Sequence, residues 1–513
     1  LRTADGGKRM LLMGVDMGTS GCKAVIFDKE WNVVAQAYRE YQLHFPGGGR
    51  LELDPEAVWN GICEVITEAN GMCREPVEAL AVSAIGDVII PLGKDGKALR
   101  YSIVDFDARG KQEIDAFVEA FGGAKKFFNL TGMPPLYLGS LAKILWLREH
   151  EKEVFENVAR WATYEDFLVE RFGLAPAVSY SEAARTMLLD IRKKDWAGQI
   201  LAQIPIRASQ LPQPVPSAAK LGFMDAELAK RLGFKGPVQI ASGGHDMVCA
   251  AVGAGLDEEE SATAVDIAGT IEGIVAAMPD ANTSDEMLEN LLPCYPGFTG
   301  YVTFSVNVTA GCVVRWYRDV IDRDEWETCR KYGEDFYEFF QRGVDPENPG
   351  RLLLIPHFSG SGNPHFDPGA QGMIYGLNLD TKREDIGRAI VEGLCYELKQ
   401  HTQAFDQAGL HLSGLYAVGG GARVEKQLQL KANITGLLIE QGVVSESSAM
   451  GAAAYAAVAM GNIKNPAQAF HKIKKQGKVF LPDKEATARF DAAYQNYEML
   501  SQQMHQFEQA KQV

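Results

Sequence analysis

At 513 residues the chain is too long for one compact core, and its length predicts two large domains. Hydrophobic residues make up 46% and charged residues 23%, an ordinary soluble globular composition. The formal net charge of −16 argues against nucleic acid or an anionic membrane as the main partner, while leaving room for an anionic substrate at a locally positive site.

The eight cysteines (22, 63, 73, 249, 294, 312, 329 and 395) are scattered and form no C-x-x-C pair. That spacing speaks against a zinc knuckle or dithiol motif and fits buried thiols in a reducing cytoplasm. The polar opening "LRTADGGKR" lacks an apolar signal core and reads as a ragged terminus. Residues 11–43 then read as a strand meander, "LLMGVDM", "KAVIFD" and "NVVAQAYREYQL". A helix follows from "LDPEAVWNGICEVITEANGM", with Asp54 as N-cap and Pro55 at its first position. "VEALAVSAIGDVIIPL" supplies two more strands, and residues 108–235 read as mostly helical. "PVQIASGGHDMVCAAVGAG" is a strand, a glycine turn and an apolar helix. Past the acidic "LDEEES", strand signals restart with "ATAVDIAGTIEGIVAAM". A long helix is expected from Arg383 to about Asp406, then the strand "LYAVGGG", the helix "ESSAMGAAAYAAVAMG" and a helical tail from about 482. The most apolar of these helices is shorter than the roughly 20 residues a membrane span needs.

One long-range echo stands out. "GVDMGTSGCKAVIF" and "AVDIAGTIEGIVAA" both run apolar, Asp, Gly-Thr, apolar, with Gly18 and Gly269 separated by 251 residues. Either alone is explained by an ordinary strand turn in which Asp forms an Asx-turn. As a pair they suggest two related domains with a boundary near 255–260 and a cleft between them. Glycine turns present backbone N–H groups to a phosphate, and Thr19 and Thr270 add hydroxyls. Asp16 would repel a bare phosphate, and makes sense with Mg²⁺ lying between the two anions. The chain holds neither G-x-x-x-x-G-K-[ST] nor G-x-G-x-x-G, which disfavours a P-loop or nicotinamide-binding Rossmann domain. Asp246, after "GGH" and at the start of an apolar helix, reads either as an N-cap or as a general base on a cleft wall. His245, with no spaced partner, reads as structural.

These residues resemble the FGGY-type carbohydrate kinases of the actin and sugar-kinase superfamily. The similarity runs from about 11 to 500, through "DMGTSGCKA", "AGT" (268–270), "GSLAKILWLREH" around Lys143 and Trp146, "GMIYGLNLDTKREDIGRAIVEGLCYEL", and "GGGARVEKQLQLKANITG" with "ESSAMGAAAYAAVAMG". The resemblance implies an α/β fold of two ribonuclease-H-like (actin-like ATPase) domains, 10–256 and 257–513, with an ATP cleft between them. It implies Asp246 as catalytic base and Asp16 as Mg²⁺ holder. Gly18, Thr19, Ser20, Gly269 and Thr270 would line the ATP phosphates, and Gly420, Gly421 and Met450 would border the adenosine. Homodimers are common among such relatives.

The departures bear on substrate. In "DFDAR", Asp105 stands where many members have Trp, while Asp107 and Arg109 keep the remaining pattern. "AIGDV" replaces the Gln-Met-His-Gly of xylulose kinases and puts Asp87 where glycerol kinases have an acidic contact. Gly-Ser-Gly-Asn-Pro replaces Gly-Glu-Arg-Thr-Pro, and Asn433 replaces a usual Asp. Asp87, Asp105, Asp107 and Arg109 are thus substrate-binding candidates, with solvated loop acids as the alternative reading. Carboxylates accepting hydroxyl hydrogens favour a neutral sugar or polyol over a sugar acid. The expectation is a cytoplasmic ATP- and Mg²⁺-dependent sugar kinase, with a ketopentose such as xylulose as first substrate. Glycerol, gluconate and other ketoses stay open, as does a different class, a nucleotide-switched binding protein.

Overall fold

Two sheets whose five central strands share one order organise the chain in the computed structural model, which describes residues 10–258, 262–442, 444, 446–473 and 477–511. The first unit contains β1 (Leu11–Met17), β2 (Gly21–Phe27), β3 (Val33–Glu40), α1 (Pro55–Met72), β4 (Val77–Ala84), α2 (Ser140–His150), α3 (Tyr180–Arg185), β5 (Lys220–Phe223), β6 (Gln239–Ala241), β7 (Gly244–His245) and α4 (Asp246–Gly253). Its sheet runs β5-β6-β4-β1-β2-β3, with β7 also on β4. The second unit contains β8 (Thr263–Ala268), β9 (Glu272–Met278), β10 (Tyr301–Asn307), α5 (Gly311–Trp316), α6 (Arg383–Gln407), β11 (Gly414–Gly419), α7 (Glu425–Thr435), β12 (Leu438–Gln441), α8 (Ser447–Met460), β13 (Val479–Phe480) and α9 (Lys484–Lys511). Its sheet runs β10-β9-β8-β11-β12-β13, with a short edge strand, Tyr295–Pro296, antiparallel on β10.

In each sheet an antiparallel hairpin leads into two parallel neighbours: β1 pairs β2 antiparallel and β4 parallel, and β8 pairs β9 antiparallel and β11 parallel. The sequence echo is therefore a topological repeat. The central strands are buried on both faces, as their near-continuous apolar runs require. The Asp54 side chain accepts from the Glu56 N–H at 3.0 Å, capping α1 with Pro55 just inside. The expected boundary at 256/257 adjoins residues 259–261, which lie outside the described residues, as do residues 1–9.

The alanine-rich α8 explains its unusual composition. It is buried against Leu12, Val25, Ala79 and Ala81 of the first sheet, so a helix of the second half closes a face of the first. Small residues permit this approach. A Cβ on Gly14 would lie 1.7 Å from the Ala449 carbonyl oxygen, and one on Gly451 would lie 1.9 Å from that of Cys249 in α4. No helix among the described residues is long and apolar enough to cross a membrane, and all eight cysteines are free thiols.

Candidate active site

The two glycine turns close their hairpins facing a common cleft. In the first, Gly18 N–H donates to the Gly21 carbonyl at 3.0 Å, and the Tyr41 hydroxyl donates to the carbonyls of Gly18 and Gly21. In the second, Gly269 N–H donates to the Ile271 carbonyl at 2.8 Å. This turn is braced from behind by α5, whose Gly311 N–H donates to the Gly269 carbonyl at 3.1 Å. Arg315 of α5 donates to the Thr270 hydroxyl at 3.3 Å, which places a guanidinium beside the turn. Ser20 is exposed at the tip of the first turn. Gly420 and Gly421 follow β11, which pairs with β8 through Ala268 and Gly419, so the two glycine segments lie side by side. Gly419 takes a left-handed φ of 90°, and a Cβ there would lie 2.3 Å from the Ala268 carbonyl oxygen. Met450 is buried against the first sheet, with its side chain in the interdomain core.

The two echoed aspartates have different fates. Asp16 lies on β1 in lateral register with Lys23 of β2 and Ser83 of β4. It accepts from the Ser83 hydroxyl at 2.9 Å. Enclosure by protein raises its pKa to about 6, against the lowering effects of Ser83 and Lys23. Lys23 itself bonds Glu446, at the start of α8, at 2.6 Å and so ties the two halves together. Asp266 is fully buried and bonded to Lys431, which also binds Glu272 at 2.6 Å. Asp266 is thus a core ion-pair residue, whereas Asp16, two residues before Gly18, has the Ser83 hydroxyl as its hydrogen-bond partner and a carboxylate of the type that could hold Mg²⁺.

A cavity of about 150 Å³ opens beside the turns. Thr19 reaches it from the first turn and Ile271 from the second, and Asp87, Asp105, Arg185, His245 and Asp246 form its polar wall. Met133, Leu136, Phe304 and Phe366 supply much of the apolar remainder. Asp246 is the first residue of α4, with His245 as the boundary residue, so its carboxylate is not an N-cap. It accepts from the Met247 N–H at 2.6 Å and lies 3.2 Å from His245 Nε2. Its side chain keeps 32% of its exposure through the cleft while the surrounding walls desolvate it. That desolvation, followed by the charge of Asp16, raises its pKa to about 8.

His245 is buried, and its Nδ1 lies 3.3 Å from the Tyr295 hydroxyl. Burial and the neighbouring Arg185 push its pKa well down, so the ring is neutral. With the hydrogen on Nε2, Tyr295 donates to Nδ1 and His245 donates to Asp246, forming a chain that orients the carboxylate. The structural reading of His245 thus acquires a specific content.

Asp87 and Asp105 are not solvated loop acids. Asp87 is 5% exposed, holds a left-handed φ of 66°, and pairs with Arg185. Each aspartate keeps one buried carboxylate oxygen, Oδ1, without a hydrogen-bond partner. Such orphaned acceptors on a cavity wall fit hydroxyl donors. Burial, then the charge of Asp87, raises Asp105 to a pKa of about 6. Lys143 stands behind Asp105, buried, donating to the carbonyls of Asp105 (3.3 Å), Tyr137 (3.0 Å) and Leu138. It ties the cavity-lining segment around 134–139 to the Asp105 loop, which gives the 139–150 motif a mechanical role.

Asp107 and Arg109 are absent from the cavity lining. Arg109 donates to both oxygens of Asp107 and, at 2.7 Å, to Glu52, and it lies 5.1 Å over the Trp146 ring. Asp107 also accepts from the Leu51 N–H at 2.7 Å. Burial acts to raise Asp107, but Arg109 and these N–H donors hold it below the usual carboxylate range. The pair braces the wall behind the cavity.

Sequence reasoning missed Arg185, which pairs with Asp87 and lies 5.0 Å over the Phe304 ring. A lone arginine inside the apolar run "EAARTMLL" was the available signal, because an arginine enters a core only with a partner. Arg315 and the His245–Tyr295 chain were missed as well, since their partners lie 45 and 50 residues away in sequence.

Two sheets of repeated topology, a glycine turn from each at one cleft, and a carboxylate at its wall define a phosphotransferase of the actin-like ATPase fold. The models for the N-terminal and C-terminal domains of the FGGY family of carbohydrate kinases match residues 11–253 and 267–460. The chain belongs to the FGGY family of carbohydrate kinases and is an ATP-dependent sugar phosphotransferase. It is 26% identical over 496 residues to a xylulose kinase of Lactococcus lactis, covering 94% of this chain and 95% of that protein. It is 28% identical over 467 residues to a glycerol kinase of Coxiella burnetii, covering 88% and 89%. The crystal structure of a gluconate kinase from Lactobacillus acidophilus superposes with a TM-score of 0.86 at 23% identity, covering 97% of this chain and 98% of the other.

Proposed function

We propose that this kinase phosphorylates a small neutral ketose or polyol, with a ketopentose such as xylulose as the first candidate. The observation that carries this reading is the cavity wall itself: three carboxylates (Asp87, Asp105, Asp246) face one guanidinium (Arg185), which Asp87 already neutralises. Unpartnered acceptors reward hydroxyl hydrogens, whereas the carboxylate of a sugar acid would meet like charge. The xylulose kinase relative supports the five-carbon choice.

In this reading the sugar lies in the cavity with its reacting hydroxyl on Asp246. The His245–Tyr295 chain fixes the carboxylate, which accepts the hydroxyl proton as the oxygen attacks. Thr19, the N–H groups of both turns, and Arg315 face the phosphate chain of ATP, and Gly420 and Gly421 border its adenosine. Asp16 would hold Mg²⁺, whose chemistry there would be charge neutralisation at the phosphates. Closure of the cleft excludes water and limits ATP hydrolysis.

The test is Mg²⁺- and sugar-dependent ADP release over a panel of xylulose, other ketoses, glycerol and gluconate. Highest kcat/KM on a neutral ketose is expected. Highest kcat/KM on gluconate would overturn the neutral-substrate reading, and ATPase activity unaffected by every compound would favour a nucleotide-switched binding protein.

A further inference from the structure

A second group of metal-ligating side chains lies away from the cleft, between the 357–368 loop and α9. Asp367, His505 and Glu508 each offer one ligand atom, and these atoms all lie within 4.8 Å of one another. We propose that these three residues form a site for one divalent transition-metal ion, which pins the 357–368 loop to α9.

The geometry is close to what an ion needs. Metal–ligand bonds of about 2.0–2.2 Å at tetrahedral angles set two ligand atoms of one ion roughly 3.3–3.6 Å apart. Side-chain movements of up to about an ångström, within the reach of rotamer adjustment, close the three atoms on one ion. His505 and Glu508 are three residues apart on one helix and project from the same face. The ligands are also held from outside. Glu508, 8% exposed, accepts from the Gln371 N–H at 2.7 Å, and Asp367 accepts from the Gly369 N–H at 2.8 Å. The His505 ring is stacked on His365, with centroids 4.1 Å apart, and its Nε2 lies 2.8 Å from the Gln509 amide, which with its oxygen turned to the ring would accept the Nε2–H and leave Nδ1 free for a metal. Such supporting contacts orient ligands before a metal arrives.

Charge supplies a separate argument. Two carboxylates meet here, one of them buried, and among the described residues no lysine or arginine is paired with either. The nearby titratable groups are His365 and the pair formed by His357 with the buried Glu397 at 3.3 Å, in which, against burial, Glu397, Glu508 and Asp367 raise the histidine pKa. One imidazole with two carboxylates suits Zn²⁺, Mn²⁺ or Fe²⁺ better than the all-oxygen preference of Mg²⁺ or Ca²⁺. None of the three ligands lines the cleft cavity, but Phe366, next to Asp367, does. An ion here would stiffen one wall of the sugar site from behind, and the site rests on no assumption about the substrate.

The test is calorimetric titration of Zn²⁺ into untagged, chelator-stripped full-length protein without nucleotide, together with thermal melting. One equivalent is expected to bind the wild type and raise its melting temperature. Glu508→Gln and His505→Asn are each expected to weaken binding at least tenfold and abolish the rise, while melting near wild type without metal. Asp367→Asn replaces either variant that fails to fold. Absence of a Zn²⁺ equivalent, or wild-type affinity in two folded variants, would overturn the proposal.

Discussion

Replacing Asp246 by Asn removes a proton acceptor while changing almost nothing else. The amide retains an oxygen that can accept from the Met247 N–H (2.6 Å) and from His245 Nε2 (3.2 Å), so the His245–Tyr295 chain has no reason to rearrange. The amide cannot take the proton of an attacking hydroxyl. General-base catalysis contributes about 10²–10⁴ in rate, which corresponds to roughly 2.7–5.5 kcal/mol at 1.36 kcal/mol per tenfold. The expected kcat loss for Asp246→Asn therefore lies in that range. ATP affinity should be unchanged, because Asp246 makes no hydrogen bond to either glycine turn and its carboxylate is bonded to the Met247 N–H and His245. Coupled ADP-release kinetics give kcat, and calorimetry gives the ATP Kd. A kcat within threefold of wild type would remove Asp246 from the mechanism.

Further outcomes follow from the same geometry. The base works only when ionised and its pKa is raised to about 8 in the free protein, so kcat/KM should climb tenfold per pH unit below that value and level off above it. A carboxylate whose folded-state pKa exceeds its ordinary 3.8 loses folded-state stability as pH rises through that interval. Asp246→Asn should accordingly melt higher than wild type near pH 8, with the difference vanishing toward pH 4; a constant difference would contradict this. Gly14→Ala drives a Cβ to 1.7 Å from the Ala449 carbonyl oxygen and should cost about 1–3 kcal/mol by overpacking the α8 interface. An unchanged unfolding midpoint would show that the interface yields. Lys431→Met strands Asp266 and Glu272 in the core and should destabilise by about 3–5 kcal/mol in denaturant unfolding. A loss under 1 kcal/mol would place little weight on that triad.

Local patterns made the hairpins and the base readable. Two Gly-Thr turns 251 residues apart, each shortly after a strand aspartate, proved to be the same strand junction in two sheets, and "GGHD" is a strand-to-helix turn on the cleft wall. What stayed hidden depended on distant partners. Asp16 and Asp266 sit in near-identical strings, and only Lys431, 165 residues away, makes the second a core residue. Asp107 and Arg109 matched a substrate pattern, yet Glu52 and Trp146 draw them into a brace outside the cavity lining. Arg185 reaches Asp87 across 98 residues. The alanine-rich α8 showed its helical character in composition, but nothing in its own sequence indicated that it would pack on the sheet of the other half.

The most direct test of the account is a crystal structure of the wild-type protein with xylulose, Mg²⁺ and a non-hydrolysable ATP analogue. The account predicts one sugar hydroxyl within about 2.6–3.2 Å of an Asp246 oxygen, the distance a general base requires, with the γ-phosphate analogue on the far side of that hydroxyl between the two glycine turns. A sugar bound in the cavity with its hydroxyls turned from Asp246, or a nucleotide lying outside the turns, would contradict it.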